Sequence, residues 1–576
     1  MSPCPPAPAK SARAGFWSFL PASLAAACIL TALSGTAANA AAVSPGAVTP
    51  LADSHGACVS SYYVSPSGND SNSGVSSSKP WKTLARVNSA SLPPGTCVLL
   101  QGGATFSGEL YLNPADAGSA EQPVTVTSYG NGRATISAGA GTGVYVYDTA
   151  GVDFEDINVV GNGYSTNTGS GFNFYNDVPG AVRYSGITIT DASVSGFGQS
   201  GILIGGEGSD GSESGFAQVT VESVTTDANG DAGLQLYGAG NSDAATYANA
   251  DVLVDDVTSY GNVGIANKGN NSGNGIVLGD VDNATIEDST AYDNGADNNY
   301  PNGGPVGIWA YDGTDVTIEH CTSYDNKSAT SDGDGFDLDG GISDSVMEYN
   351  YSYDNNGAGF LVFEYDGARP LTDAVVRYNI SKDDARVGSD GGIAIGSDGT
   401  PVNGVDVYSN TVFTTPSQGA TPAGIRVWTG ALDVLVADNI IETTGGVPLV
   451  SVESGASARF LGNDYFPDGS PFLVYVGGSD YSDSAATAYQ SLAAWQQATG
   501  VETLGGVTVG QTVNPKFAGN PLSPAGTPST FLLQSGSPLY QTGVSLASLG
   551  IDGGGLDYFG KSVPSDGPNS VGAAQS

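Results

Sequence analysis

A short strand written over and over constrains this chain more than any other feature. It reads Ile187-Thr-Ile, Val219-Thr-Val, Val252-Leu-Val, Ala284-Thr-Ile, Val316-Thr-Ile, Ser345-Val-Met, Ala374-Val-Val, Val405-Asp-Val and Val434-Leu-Val, with successive starts 32, 33, 32, 32, 29, 29, 31 and 29 residues apart. A period of this length marks stacked units that cannot bury their apolar faces alone. Helical repeats of similar length exist, but Val/Ile/Thr alternation broken by glycine favours strands. Five residues after the last four starts stand Asn350, Asn379, Asn410 and Asn439. Stacked coils align these amides into a ladder, since asparagine both donates and accepts along the stack and its backbone tolerates unusual dihedrals.

A second strand recurs as Gly, apolar, any residue, apolar: Gly201-Ile-Leu-Ile, Gly233-Leu-Gln-Leu, Gly275-Ile-Val-Leu, Gly307-Ile-Trp-Ala, Gly335-Phe-Asp-Leu, Gly359-Phe-Leu-Val, Gly392-Ile-Ala-Ile and Gly424-Ile-Arg-Val. Strand side chains alternate, so the apolar positions point into the coil and the intervening ones point out. The two strands together predict an all-β, single-domain right-handed parallel β-helix over residues 99–475. Residues 58–98 form an N-terminal cap and first strands, with a short amphipathic helix over 81–88 shielding the open end from edge-to-edge pairing. Residues 476–576 close the C-terminal end, with a helical stretch over 484–499.

The first 40 residues read as a secretory signal: Lys10 and Arg13, an apolar run over 16–33, then Ala38-Asn39-Ala40 as the cleavage site. Residues 41–57, small and polar, form a linker. The predicted location is therefore extracellular or periplasmic, with no membrane contact after cleavage. In that oxidising setting Cys58 and Cys97 are available to pair, and Cys321, in a repeated strand, reads as a buried inert thiol. Seventeen basic against 58 acidic side chains give a formal charge of −41, which disfavours nucleic acid and anionic membranes as partners. A monomer is expected. His55 in the linker and His320 in a buried-type strand support neither a zinc site nor a catalytic triad, and the scattered Gly-x-Gly runs are turn glycines.

The chemistry concentrates in residues 331–341, Ser-Asp-Gly-Asp-Gly-Phe-Asp-Leu-Asp-Gly-Gly, which hold Asp332, Asp334, Asp337 and Asp339. Alternation puts Asp337 and Asp339 on the outward face, with Asp332 and Asp334 in the turn before it. Coils about 4.8 Å apart set Trp309 and Tyr311 beside those acids, and the same face carries Tyr145, Tyr147, Tyr175, Tyr237, Phe363, Arg426 and Trp428. An exposed aromatic strip with carboxylates in its middle suits a polysaccharide, because sugar faces stack on rings and hydroxyls bond to carboxylates. Trp309, Tyr311, Tyr237, Phe363, Arg426 and Trp428 are the expected substrate-binding positions.

These coils, the opening Tyr62-Tyr-Val-Ser-Pro-Ser-Gly-Asn-Asp, the run from Pro123 and the closing Asp557-Tyr-Phe-Gly resemble secreted bacterial members of the pectate-lyase-like right-handed β-helix superfamily. Asp334-Gly335-Phe336-Asp337 further resembles the calcium motif of the ninth polysaccharide-lyase family. The acidic residue expected before Asp334 is Gly333, however, and the outward lysine of a later coil is missing, with Leu361 and Ala394 at such sites. A glycoside hydrolase is the preferred reading, with Asp337, Asp339, Asp334 and, in reserve, Glu364 sharing the acid and base roles. The second reading is a lyase in which Asp332, Asp334, Asp337 and Asp339 hold Ca²⁺ and Lys382 or Arg386 removes the proton. The third is a noncatalytic glycan-binding adhesin. No organic cofactor is expected.

Overall fold

The computed structural model describes residues 58–479, 483–524 and 526–575, so the expected signal and linker lie outside the described residues. The repeats wind into a right-handed parallel β-helix. Each coil begins with the glycine-led strand, as in Ile202–Gly206, Asp334–Leu338 and Phe360–Glu364. The Val/Ile/Thr strand follows, as in Gly215–Glu222, and a three-residue strand such as Thr290–Tyr292 completes the turn. In Asn274–Glu287 and Val306–Glu319 the first two strands run together without a break. The third strands make a 13-stranded sheet of their own.

Register holds the inner rows in line. Ile276, Ile308, Phe336, Phe360, Ile393, Ile425 and Val450 are successive partners along the stack, and all are fully buried. A one-residue slip would turn each of these side chains outward, at about 1.5–3 kcal/mol apiece, so the pattern itself fixes the stacking.

At the N-terminal end, the helix Leu84–Asn88 starts where the Thr83 hydroxyl accepts from Arg86 N at 3.2 Å, and it buries Leu84 and Val87 beside Trp81. A disulfide joins Cys58 to Cys97. At the other end the expected helix over 484–499 is shorter. Thr487–Tyr489 instead pairs antiparallel with Val474–Val476, and the helix Leu492–Thr499 begins at its Ser491 cap, whose hydroxyl accepts from Ala494 N. The residues beyond it fold back along the last coils: Tyr351 donates to Gly526 O, Tyr378 to Gly553 O, and Val544 N to Asp438. Among the described residues no helix is long and apolar enough to cross a membrane.

The asparagine ladder runs as expected and extends one coil further. Nδ2 of Asn350, Asn379, Asn410 and Asn439 donates to Oδ1 of the next member at 3.1, 3.1, 3.0 and 2.9 Å, the last acceptor being Asn463, whose Nδ2 donates to Glu502 Oε1 at 2.8 Å. The unusual dihedrals belong to the preceding residues: Tyr349, Tyr378, Ser409 and Asp438 have φ of 58°, 52°, 54° and 52°. A second ladder, unforeseen, links Asn229, Asn262, Asn294, Asn326 and Asn355 and ends on Asp384. Cys321 holds the position one coil before Asn350, its N–H donating to Asn350 Oδ1 and its thiol accepting from Ser289 N. The thiol is thus buried just past a strand rather than within one.

Asn379→Ala is expected to destabilise the coils by about 3 kcal/mol, because it removes the acceptor of the buried Asn350 N–H and of one of its two Nδ2 hydrogens together, the other still donating to Ile318 O. Urea unfolding checks this. A loss under about 1 kcal/mol would mean the ladder only decorates the turn.

Candidate functional site

Alternation sets the direction of the outward side chains correctly but not their exposure. Trp309 is 2 % exposed, its Nε1 donating to Asn274 Oδ1 at 3.0 Å, and it packs with Tyr311, Val277, Val306 and Ala232 as a small second core. Phe363 packs with Leu361, Ala358 and Ala394 in another. Arg426 is 1 % exposed and ion-paired with Glu453 at 3.3 Å. These four residues therefore do not line an open groove. Tyr237 and Trp428 are half-buried, each laid across a glycine of the preceding coil: a Cβ on Gly205 would stand 2.7 Å from Tyr237 Cδ1, and one on Gly396 2.7 Å from Trp428 Cβ. The cause lies in the neighbours. Val277, Leu361 and Ala394 share this face, and a contiguous apolar patch of that size needs cover.

Segments 238–248 and 365–371 meet beside Asp312 and Gly340, at the edge of this face. Arg369 ties them together, its guanidinium 4.4 Å from the Tyr247 ring centre, its Nη2 donating to Asn241 O, and its Nε 2.7 Å from Asp312 Oδ1.

The aspartates separate into distinct environments. Asp332 accepts from Gly304 N and Asp334 from Ala358 N, so both fasten one coil to its neighbour. Asp337 is 2 % exposed between Trp309 and Leu361, not on an open face. Asp339, like Asp332, is half-exposed, and it accepts from Gly340 N at 2.8 Å. Among the described residues, no three His, Cys, Asp or Glu side chains come together as a metal site, and Asp332 and Asp334 each give one oxygen to a backbone amide.

Glu364 sits at the end of the next strand. It is fully buried, and its Oε2 accepts from Leu371 N at 2.9 Å and Gly341 N at 3.4 Å. Burial, assisted by the charges of Asp339 and Asp312, pushes its carboxyl up to about 8. Two further acids on this edge escaped sequence reasoning. Asp280 and Asp312 lie on adjacent coils, one residue past the Gly279 and Tyr311 pair. Burial and Glu213 push Asp280 up to about 9, and burial holds Asp312 up at about 6 against the lowering pull of Arg369. The signal was in Leu-Gly-Asp280, Ala-Tyr-Asp312 and Val-Phe-Glu364, which place an acid one residue beyond each outward pair.

The expected lyase bases lie elsewhere. Lys382 is buried on the third-strand sheet, beside Asp383 and under Gly526. Arg386 pins a turn through Asp384 O and Thr415 O. His320 is half-exposed and stacked on Tyr349 rather than buried.

Residues 185–441 match the family described as right handed beta helix region. A stretch of 100 residues is 41% identical to a lacto-N-biosidase of Bifidobacterium longum, covering 17% of this chain and 6% of that protein. The chain therefore spans only a small part of the curated relative it matches. Among solved structures, the GH136 lacto-N-biosidase from Eubacterium ramulus is 17% identical with a TM-score of 0.48, over 69% of this chain and 66% of that one. Pectate lyase Pel9A is 16% identical with a TM-score of 0.38, over 91% and 98%. The family match over residues 185–441 and the coils described above agree on one architecture, a right-handed parallel β-helix.

Proposed function

We propose that the chain is a carbohydrate-active enzyme, a glycoside hydrolase acting on an uncharged polysaccharide laid along the first-strand face. One observation carries this reading. A buried carboxyl, Glu364, whose pKa of about 8 keeps it protonated at neutral pH, lies one coil from the half-exposed Asp339. Asp339 is one residue past the Leu338 and Val362 pair, and Glu364 two residues past it. Paired acids held in such different environments are the usual arrangement for separate acid and base roles.

In this reading Glu364 gives its proton to the leaving glycosidic oxygen. Asp339 takes a proton from the water whose oxygen bonds to the anomeric carbon, so one water is consumed per bond broken. Glu364 lies next to segment 365–371, and the entering chain displaces that segment to reach it. Asp337 and Asp334 hold the strand and its charge environment and do not touch substrate. Arg369 and Arg426 are already ion-paired, which favours a neutral chain over a polyuronate. Lys382 and Arg386 are engaged elsewhere, which disfavours the eliminative route. No step is routed through calcium. The lacto-N-biosidase likeness supports a glycan substrate, and the N-terminal signal supports a secreted or periplasmic location.

The test is incubation of the full chain with neutral and acidic glycans, with and without chelator. New reducing ends, without the ultraviolet absorbance of unsaturated sugars and indifferent to chelator, are expected. Unsaturated products would replace the hydrolase by the lyase, and retention of glycan without any product would favour the adhesin.

A further inference from the structure

Two rows of tyrosines point outward from the coils, and they differ in what their rings can offer. On the third strands, Tyr260, Tyr292, Tyr324 and Tyr353 stack at 4.9, 4.9 and 4.6 Å with planes 2°, 4° and 5° apart. Each face there is spent on its neighbour, leaving only edges outside. On the first strands of the N-terminal coils, Tyr111, Tyr145, Tyr147 and Tyr175 lie 5.6, 6.0 and 6.3 Å apart with planes tilted by 43°, 45° and 26°. These rings are half-exposed, and at such distances and tilts their faces remain open.

The second row is continuous with the candidate site. Tyr111 pairs with Tyr145, Tyr147 with Tyr175, Tyr175 with Gly205, and Gly205 with Tyr237. Polar groups are set into it. The Tyr147 hydroxyl donates to both oxygens of Asp177 at 3.0 Å, and Asp177 N donates to Asp148. Asn173, the partner of Tyr145, carries an Oδ1 that accepts no hydrogen bond from the protein. Burial, with Tyr111, Tyr175 and the Asp177 and Asp148 carboxylates, pushes the Tyr145 phenol up to about 12, so the ring stays neutral.

We infer that Tyr111, Tyr145, Tyr147 and Tyr175 form a docking platform for an uncharged polysaccharide, extending the site toward the N-terminal end of the coils. Open ring faces take the apolar faces of sugars. Asp148 and Asp177 repel a polyuronate. The inference rests on the glycan reading of this face and not on hydrolysis.

Affinity electrophoresis of the full chain in gels containing xylan, mixed-linkage glucan or galactomannan, with polygalacturonate as the anionic counterpart, tests it. Retardation by at least one neutral glycan is expected. Tyr145→Ala with Tyr147→Ala should weaken Kd by about tenfold or more, whereas Tyr145→Phe, and Tyr292→Ala with Tyr324→Ala, stay within about twofold. Where the double alanine variant melts early, Tyr145→Leu replaces it, keeping apolar volume without a ring face. Failure of every neutral glycan to bind, tighter binding of polygalacturonate, or a loss within about twofold in the folded platform variant overturns the platform. Binding without any product leaves it standing and removes the hydrolase alone.

Discussion

Replacing Glu364 by glutamine is expected to lower kcat on a cleaved glycan by about 10²–10⁴-fold while the melting temperature stays level or rises. The two halves of this expectation come from the same environment. Glu364 is fully buried and carries its proton at neutral pH, so glutamine reproduces its shape and neutrality and retains an oxygen for Leu371 N. What glutamine lacks is a proton that can leave. KM should change little, because the side chain transfers a proton rather than gripping the sugar. In the unmodified protein kcat/KM should fall above about pH 8, where Glu364 ionises. Steady-state kinetics with thermal unfolding of the same preparation checks both halves. Activity within about threefold of the original would exclude Glu364 as the acid.

The second large effect concerns stability. The protein is expected to melt about 5–10 °C higher at pH 5.5 than at pH 8.5, which differs from the usual behaviour of carboxylates that are ion-paired in the fold. Burial raises Glu442 to about 8 and Asp384, Asp464 and Glu502 to about 7, each as the leading cause, and raises Asp438 well above its ordinary value. Unfolded, each titrates near 4, so between that value and its folded pKa the folded chain binds more protons. Stability is fullest at the acidic end of this window and is lost as pH rises through it. The formal charge of −41 at pH 7 acts in the same direction, since acidification relieves self-repulsion. Glu442→Gln should raise the melting temperature at pH 8.5 and leave it nearly unchanged at pH 5.5. A melting temperature that is flat or rising toward pH 8.5 would falsify this account.

The coil was legible because two independent periodicities, the strand triplet and the glycine-led strand, agree in register from Ile187 to Val434. The first asparagine ladder was legible for the same reason. The second was equally available in Tyr292-x-Asn, Tyr324-x-Asn and Tyr353-x-Asn, where the amide follows the outward tyrosine by two residues. Exposure was not legible. Whether Trp309 faces water depends on neighbours that strand alternation does not specify, such as Asn274, which takes its Nε1–H, and Ala232 and Val306, which pack with it. Asp337 is likewise buried between Trp309 and Leu361, and the proposed acid is Glu364. The C-terminal wrap was missed because its contacts, such as Val544 N on Asp438, join residues over a hundred positions apart.

Each amide ladder has a sense: its side-chain-to-side-chain bonds run from Nδ2 toward the C-terminal coil, and both ladders finish on a carboxylate, Glu502 for one and Asp384 for the other. A carboxyl group, unlike an amide, has no N–H to pass onward. It therefore acts as a full stop. A coil stacked beyond Glu502 would find no amide donor waiting at its turn, whether it came from the same chain or from a second molecule. The ladder that ends on Glu502 thus closes beyond the last asparagine turn, whereas the one that ends on Asp384 stops while the coils run on through Gly391–Ser397, Ala423–Val427 and Val450–Val452.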